Sequence, residues 1–273
     1  MPKLLTTAQV ESFQKNGYLG PIRAISPEQA ARARAQLEDY ERSVGHPLAR
    51  DMRTKPHLLF PWINQVIREE RILDAIEDLL GANLLCWSTN FFIKEAVDPA
   101  YVSWHQDSTY WGLSSPDVVT AWLALSPSTR ENGALEVVPG SHLHQIPHRD
   151  TFAAANLLSR GQEVAVDVDP ADAAMIELQP GEMSLHHVRI IHGSAPNPSQ
   201  QRRIGLAIRY LPTSVRQLEG DDSATLVRGV DPHPSFEHEP SPTSDLQPEF
   251  VALHQQVLDR AQKILFKGSN PTA

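Results

Sequence analysis

A single cysteine, Cys86, stands in 273 residues, so no disulfide can form within the chain, and a reducing intracellular compartment is the simplest setting. No uninterrupted apolar run reaches the roughly 20 residues that a membrane-spanning helix needs. The opening Met1-Pro2-Lys3-Leu4-Leu5 lacks the long apolar core of a secretory signal, and the cytoplasm is the expected location. Positive charge is also scarce: 24 Lys and Arg face 33 Asp and Glu, and the resulting net charge of −9 argues against a broad nucleic-acid surface. Local basic pockets survive that argument. Internal repeats and low-complexity tracts are absent, which excludes solenoids and leaves one domain over residues 1–273 as the expected organisation.

Helical signals bracket a strand-rich middle. Ser26-Pro27-Glu28-Gln29 forms a capping box with proline at the first helical position and starts a helix through Ala30 and Leu37 that can end near Gly45. Ile72, Leu73, Ile76, Leu79 and Leu80 recur at helical spacing and stop at Gly81. These define a helical N-terminal part, residues 1–82. From 83 to 211 the pattern becomes short β-branched runs broken by Pro and Gly, as in a barrel or sandwich. Residues 212–273 read as a C-terminal loop and helix. Within them, Pro, His and acidic residues make 231–240 an extended loop or lid, and Phe250, Leu253, Val257, Ile264 and Leu265 give a closing helix an apolar side to pack on the barrel or on a second copy of the chain.

The chemistry concentrates in Trp104-His105-Gln106-Asp107. Strand side chains alternate faces, so His105 and Asp107 point the same way and can grip one metal ion. His192, in Ile190-Ile191-His192-Gly193-Ser194, offers a third ligand far downstream. Two histidines and a carboxylate on one face of a metal leave the other face open, which suits non-haem Fe(II) and oxygen activation. Taken alone, His-x-Asp is weak, because such pairs arise by chance. It gains meaning from Glu131-Asn132-Gly133-Ala134-Leu135, Val138-Pro139-Gly140-Ser141-His142, Pro180-Gly181-Glu182 and Arg202-Arg203 around it.

Together these segments resemble the phytanoyl-CoA dioxygenase family, whose members carry a WHQD-type segment, a PGSH turn, Gly-Asp or Gly-Glu before the last ligand strand, and HGS followed by two arginines. The resemblance covers residues 81–210. It implies a mainly β fold with flanking α-helices, the double-stranded β-helix or cupin-like jelly roll, with Fe(II) on His105, Asp107 and His192, and with 2-oxoglutarate and O2 as co-substrates. An arginine at fixed spacing after the last histidine would hold the distal carboxylate of 2-oxoglutarate. Arg203 stands 203 − 192 = 11 positions on, as in the family. A guanidinium suits that task because it forks onto a carboxylate through two hydrogen bonds. The competing role for Arg203 is a solvated strand end, which is the reading for Arg202. Ser194 would add a hydroxyl to the same carboxylate, and Asn90 and Lys94 would lie near the keto-acid end. Trp122 either lines the co-substrate site or is a plain core aromatic.

Gln106, between the ligands, faces away from the metal and is read as a supporting or structural group. Tyr110 and Trp111 follow in a loop, to close over substrate or to plug the core beneath. His186 and His187 rival His192 as third ligand, but only His192 carries the downstream Gly-Ser and arginine. One of the pair is expected in the core near the site. His142, His144 and His148 are discounted as ligands, and His46, His57, His233, His238 and His254 are assigned no chemistry.

The reaction implied is hydroxylation of an unactivated C–H bond. Asp107 argues against the halogenating relatives, in which a small residue replaces the carboxylate. Arg209 shares strand parity with Arg203, and Arg189 lies three residues before His192; interior cations would suit a small anionic or zwitterionic metabolite such as an aminoalkylphosphonate. The bland role for both is a salt bridge. Other readings are a hydroxylase of fatty acyl or secondary-metabolite substrates, a non-catalytic protein that binds metal and 2-oxoglutarate, and a zinc hydrolase, for which no general base is evident.

Overall fold

The computed structural model describes residues 2–232 and 234–267; His233 lies outside them. In chain order the helices are α1 (Thr7–Asn16), α2 (Pro27–Val44), α3 (Pro61–Val66), α4 (Glu70–Leu80) and α5 (Pro248–Leu265). The strands are β1 (Tyr18–Arg23), β2 (Leu84–Lys94), β3 (Val102–His105), β4 (Val119–Ala124), β5 (Leu135–Val137), β6 (His148–Asp150), β7 (Gln162–Val164), β8 (Ala174–Ile176), β9 (Glu182–His187), β10 (His192–Ser194), β11 (Arg203–Pro212), β12 (Ser223–Arg228) and β13 (Glu237–His238). The caps explain the helix limits. Ser26 and Gln29 satisfy each other's backbone donors at the start of α2, which ends on left-handed Gly45, while α4 stops at Gly81.

A seven-stranded sheet in the order β1-β9-β4-β11-β2-β12-β13 faces a four-stranded sheet, β3-β10-β5-β8. All pairings are antiparallel except β12 with β13. This is the jelly roll. Alternation along β11 divides its residues between two layers: Ile204, Leu206, Ile208 and Tyr210 join the helices in the large core, and Arg203, Ala207 and Arg209 turn between the sheets. In β4 and β9, Val119, Ala121, Leu123, Met183 and Leu185 likewise pack toward the helices. Thr120, Trp122 and His186 take the inner face.

The N-terminal part is not wholly helical, because β1 extends the large sheet by pairing with β9. Residues 212–273 also contribute a sheet strand, β12, beside β2. Its run Ser223-Ala224-Thr225-Leu226-Val227-Arg228 alternates only weakly, since a side chain on each face is buried. α5 buries Phe250, His254, Val257, Leu258 and Ile264; Leu253 is only half-buried. No helix among the described residues is long and apolar enough to cross a membrane.

Candidate active site

A cavity opens between the two sheets, with Val102, His105, Leu135, His192 and Ser194 on the small-sheet side and Phe92, Thr120, Trp122, His186, Arg203, Ala207 and Arg209 on the large. β3 ends at His105, two residues short of the Asp107 that the alternation argument placed on the same strand. Gln106 is extended, and Asp107 opens a 3-10 turn over Asp107–Tyr110. The turn still returns the carboxylate to the imidazole, with His105 Nε2 3.2 Å from Asp107 Oδ1. His192 pairs with His105 across the antiparallel ladder and brings its ring to 4.1 Å, centroid to centroid. Ligand atoms of His105, Asp107 and His192 all lie within 4.8 Å of one another, and all three residues are buried.

The donor set fits a metal. His105 Nδ1 lies 2.9 Å from the Ser103 carbonyl and His192 Nδ1 3.0 Å from the Ile190 carbonyl. Carbonyls only accept, so each Nδ1 carries the proton and each Nε2 keeps a lone pair for coordination. Burial alone would raise the Asp107 pKa, but the Arg209 guanidinium 3.4 Å away and the His105 contact hold it well below the usual carboxylate range. Burial lowers the pKa of His192, so it is neutral and able to coordinate. Gln106 is fully enclosed: its amide donates to the carbonyls of His144 and Arg189 and accepts from the Ile146 N–H and Gln145. Its own N–H donates to His148 Nε2. That clamp fixes the backbone between the two proposed ligands.

A second fit test concerns the dicarboxylate. Arg203 is 2% exposed, donates to the Gly133 carbonyl, and has an Nε with no partner. No carboxylate among the described residues pairs with it, and burial pulls its pKa down to about 10. Lys94, fully enclosed, donates to Ser194 Oγ at 2.8 Å and to the Ser194 and Ala195 carbonyls; burial and the Arg203 charge lower its pKa to about 6. A buried guanidinium without a counter-ion among the described residues, beside a hydroxyl and an amine that an arriving anion would protonate, makes a receptor for an anionic group. Trp122 lies 5.4 Å from the Arg203 guanidinium, and a side chain at Gly205 would collide with its ring.

Several sequence expectations shift. Lys94, foreseen near the keto-acid end, pairs with Arg203 across the ladder and lies beside it. Asn90, four residues back along β2, accepts from Arg209 and donates to Thr54. Arg189 lies in the turn that reverses β9 into β10 and lines a separate outer cleft with Ser108, Gln145 and Val188, rather than the inter-sheet cavity. Arg202 is not a solvated strand end. It grips both oxygens of Glu41 on α2 at 2.7 and 2.8 Å and also Glu95. His186 is the histidine beside the site, 4.8 Å from the His192 ring, while His187 faces His142.

Beyond Asp107 and Arg209 opens an outer chamber, with Tyr110 and Trp111 in its wall. Its other wall includes Leu258, Ala261, Ile264 and Leu265 of α5. Sequence reasoning missed Trp87 and Asp222 there, since neither stands in a recognisable motif. It also assigned no chemistry to His57, which is fully buried against Glu239 and Thr89.

The chain is 34% identical over 158 residues to a probable alpha-ketoglutarate-dependent hypophosphite dioxygenase of Stutzerimonas stutzeri, covering 57% of this chain and 54% of that protein. It spans about half the length of the curated relatives it matches most strongly. Among solved structures, the apo form of the non-heme monooxygenase ThoJ superposes with a TM-score of 0.84 at 35% identity, over 94% of this chain and 97% of that one. Its nickel complex gives 0.80 at 33% identity, over 94% and 98%. The family model for phytanoyl-CoA dioxygenase (PhyH) matches residues 13–205, and the chain belongs to that family.

Proposed function

We propose that this protein is an Fe(II)- and 2-oxoglutarate-dependent dioxygenase that hydroxylates a small molecule. The single observation that carries this is the pairing, in one inter-sheet cavity, of a buried His/Asp/His set with a buried arginine that lacks a counter-ion. The alpha-ketoglutarate-dependent relative at 34% identity supports the same reading. His105, Asp107 and His192 would hold Fe(II), which when bound supplies the oxygen-activating chemistry. Arg203, Lys94 and Ser194 would hold the distal carboxylate of 2-oxoglutarate, and Trp122 would flank it. Arg209 steadies the free oxygen of Asp107, and Gln106 fixes the segment between ligands. The overall balance is RH + O2 + 2-oxoglutarate giving ROH + succinate + CO2.

The substrate enters through the outer chamber, where Asp107 and Arg209 form part of the wall. A small charged metabolite, with an aminoalkylphosphonate as the named candidate, draws support from the hypophosphite relative and from Arg209. Arg189 lends it none, and Arg209 is already committed to Asp107 and Asn90. A zwitterion therefore fits better than a plain anion. The test is anaerobic Fe(II) and 2-oxoglutarate binding followed by succinate release over a substrate panel that includes aminoalkylphosphonates. His105→Ala, Asp107→Ala and His192→Ala should each abolish Fe(II) retention and succinate release while the chain stays folded. Retention of both in His192→Ala, with loss in His186→Ala, would move the third ligand. Binding without succinate release across the panel would favour a non-catalytic role.

A further inference from the structure

Asp222 is a buried carboxylate with no positive partner among the described residues. It is 4% exposed and lines the outer chamber with Asp107 and Arg209. One oxygen accepts from Trp87 Nε1 at 2.7 Å and from Gln217 Nε2 at 3.4 Å; the other accepts from the Ser223 N–H at 2.8 Å. All three donors are neutral, and among the described residues no Lys, Arg or His nitrogen forms an ion pair with it. Arg260 feels its field but is paired with Glu237. The chamber's other charges are compensated within the fold: Arg209 by Asp107, and Lys55 by Glu239. Asp222 thus gives the chamber a carboxylate that no cation of the described residues pairs with, a site where a bound cation gains a partner.

The aromatic wall points to the same ligand. Trp87 and Trp111 stand 4.8 Å apart at 58°, and Tyr110 lines the same space. Two of these rings already meet cations: Arg209 lies 5.0 Å from Trp111, and Arg160 lies 3.8 Å from Tyr110. Trp87 has no such partner among the described residues, yet its N–H donates to Asp222, which enriches the ring's electron density and strengthens its attraction for a cation. Leu157, Leu158, Leu258 and Ile264 in the same lining offer only apolar side chains.

Resting on the dioxygenase reading for the reaction itself, we propose that the outer chamber recognises its substrate through a cationic nitrogen, an ammonium or alkylammonium group. That group would sit against Trp87 and Asp222, with the carbon chain running past Trp111 and Arg209 toward Asp107. Contacts link these residues in that order, so charge recognition at one end sets which carbon reaches the metal site. A zwitterionic substrate satisfies this site and a plain anion does not.

The probe titrations use the 273-residue chain without iron or 2-oxoglutarate, so that they stand apart from the succinate assay. Choline and its neutral isostere 3,3-dimethylbutan-1-ol are titrated against tryptophan fluorescence, with sodium chloride as the ionic control. Choline should quench saturably and bind at least about tenfold more tightly than the isostere, as a desolvated cation-on-indole contact implies. Asp222→Asn and Trp87→Leu should bring choline down to the level of the isostere, and Asp222→Asn should leave 2-oxoglutarate binding unchanged. Equal binding of the two probes, no choline quench beyond the salt control, or a preference retained in both variants would overturn the proposal. The comparison of probes on the unaltered protein decides it even where a variant fails to fold. Failure of succinate release with the choline preference intact would instead strike the dioxygenase reading.

Discussion

Lys94 is the residue whose protonation state the fold controls most directly. An alkylammonium in water keeps its proton to about pH 10.5, whereas burial beside Arg203 brings this one down to about 6. Near pH 7.5 the free protein therefore holds Lys94 mostly neutral. A carboxylate arriving between Lys94 and Arg203 favours the charged form and raises that pKa, so 2-oxoglutarate binding should take up a proton. Calorimetry in buffers of different ionisation enthalpy should show uptake approaching one proton near pH 7.5, and Lys94→Met should remove it; identical enthalpies in all buffers would contradict this role. The same shift sets a stability trend. The unfolded chain binds more protons than the folded one between about pH 6 and 10.5, so this group's contribution to stability rises with pH across that window. Arg203→Ala should weaken 2-oxoglutarate by about 2–5 kcal/mol, read by titration, and Arg203→Lys should restore only part, because a point charge cannot reproduce the fork.

At the scale of elements, β11 carries the site because every second residue faces the cavity. Gly205 lies on that inner face between Arg203 and Ala207, and the missing side chain is what admits the Trp122 ring. Gly205→Ala should cost about 1–3 kcal/mol in urea denaturation, as overpacking does, and should also weaken 2-oxoglutarate by displacing Trp122 from Arg203. A variant with unchanged stability and affinity would show that the ring has room to move. Elements with local signals were legible in advance: α2 from its capping box, α4 from its apolar spacing and terminal glycine. The set of His105, Asp107, His192 and Arg203 was legible as a motif, and the structure gathers all four around one cavity. β1 and β12 were not, because neither shows clean alternation, and membership of the sheet is decided by partners well over 100 residues away. Arg189 was misplaced for a related reason, since distance along the chain from His192 does not reveal that a turn intervenes.

At the scale of the whole molecule, the outer chamber is assembled from distant parts of the chain, and one buried network ties them. Glu239 accepts from Lys55 Nζ at 2.6 Å, His57 Nε2 at 2.9 Å, and the hydroxyls of Ser223 and Thr225, each at 2.7 Å. The segment 231–240, expected as a loop or lid, therefore places a carboxylate in the interior, joining the 55–57 turn to β12. Lys55 also lines the chamber, and α5, whose His254 Nε2 lies 2.7 Å from the Thr54 carbonyl, closes it. Burial opposes ionisation of Glu239, but Lys55 and His57 outweigh it and hold the carboxyl below its usual range. The sign follows: with the folded pKa depressed, the stabilisation is present above the unfolded value of about 4.5 and is lost as pH falls through the folded value. Glu239→Gln leaves Lys55 charged and enclosed without a carboxylate, which should cost about 3–5 kcal/mol at pH 7. It should cost less at pH 3, where the unaltered protein has begun to lose the same contribution. Urea unfolding at the two pH values measures both. A penalty independent of pH would mean that Glu239 acts by shape and hydrogen bonding rather than by charge, and the chamber wall would then owe its position to α5 packing alone.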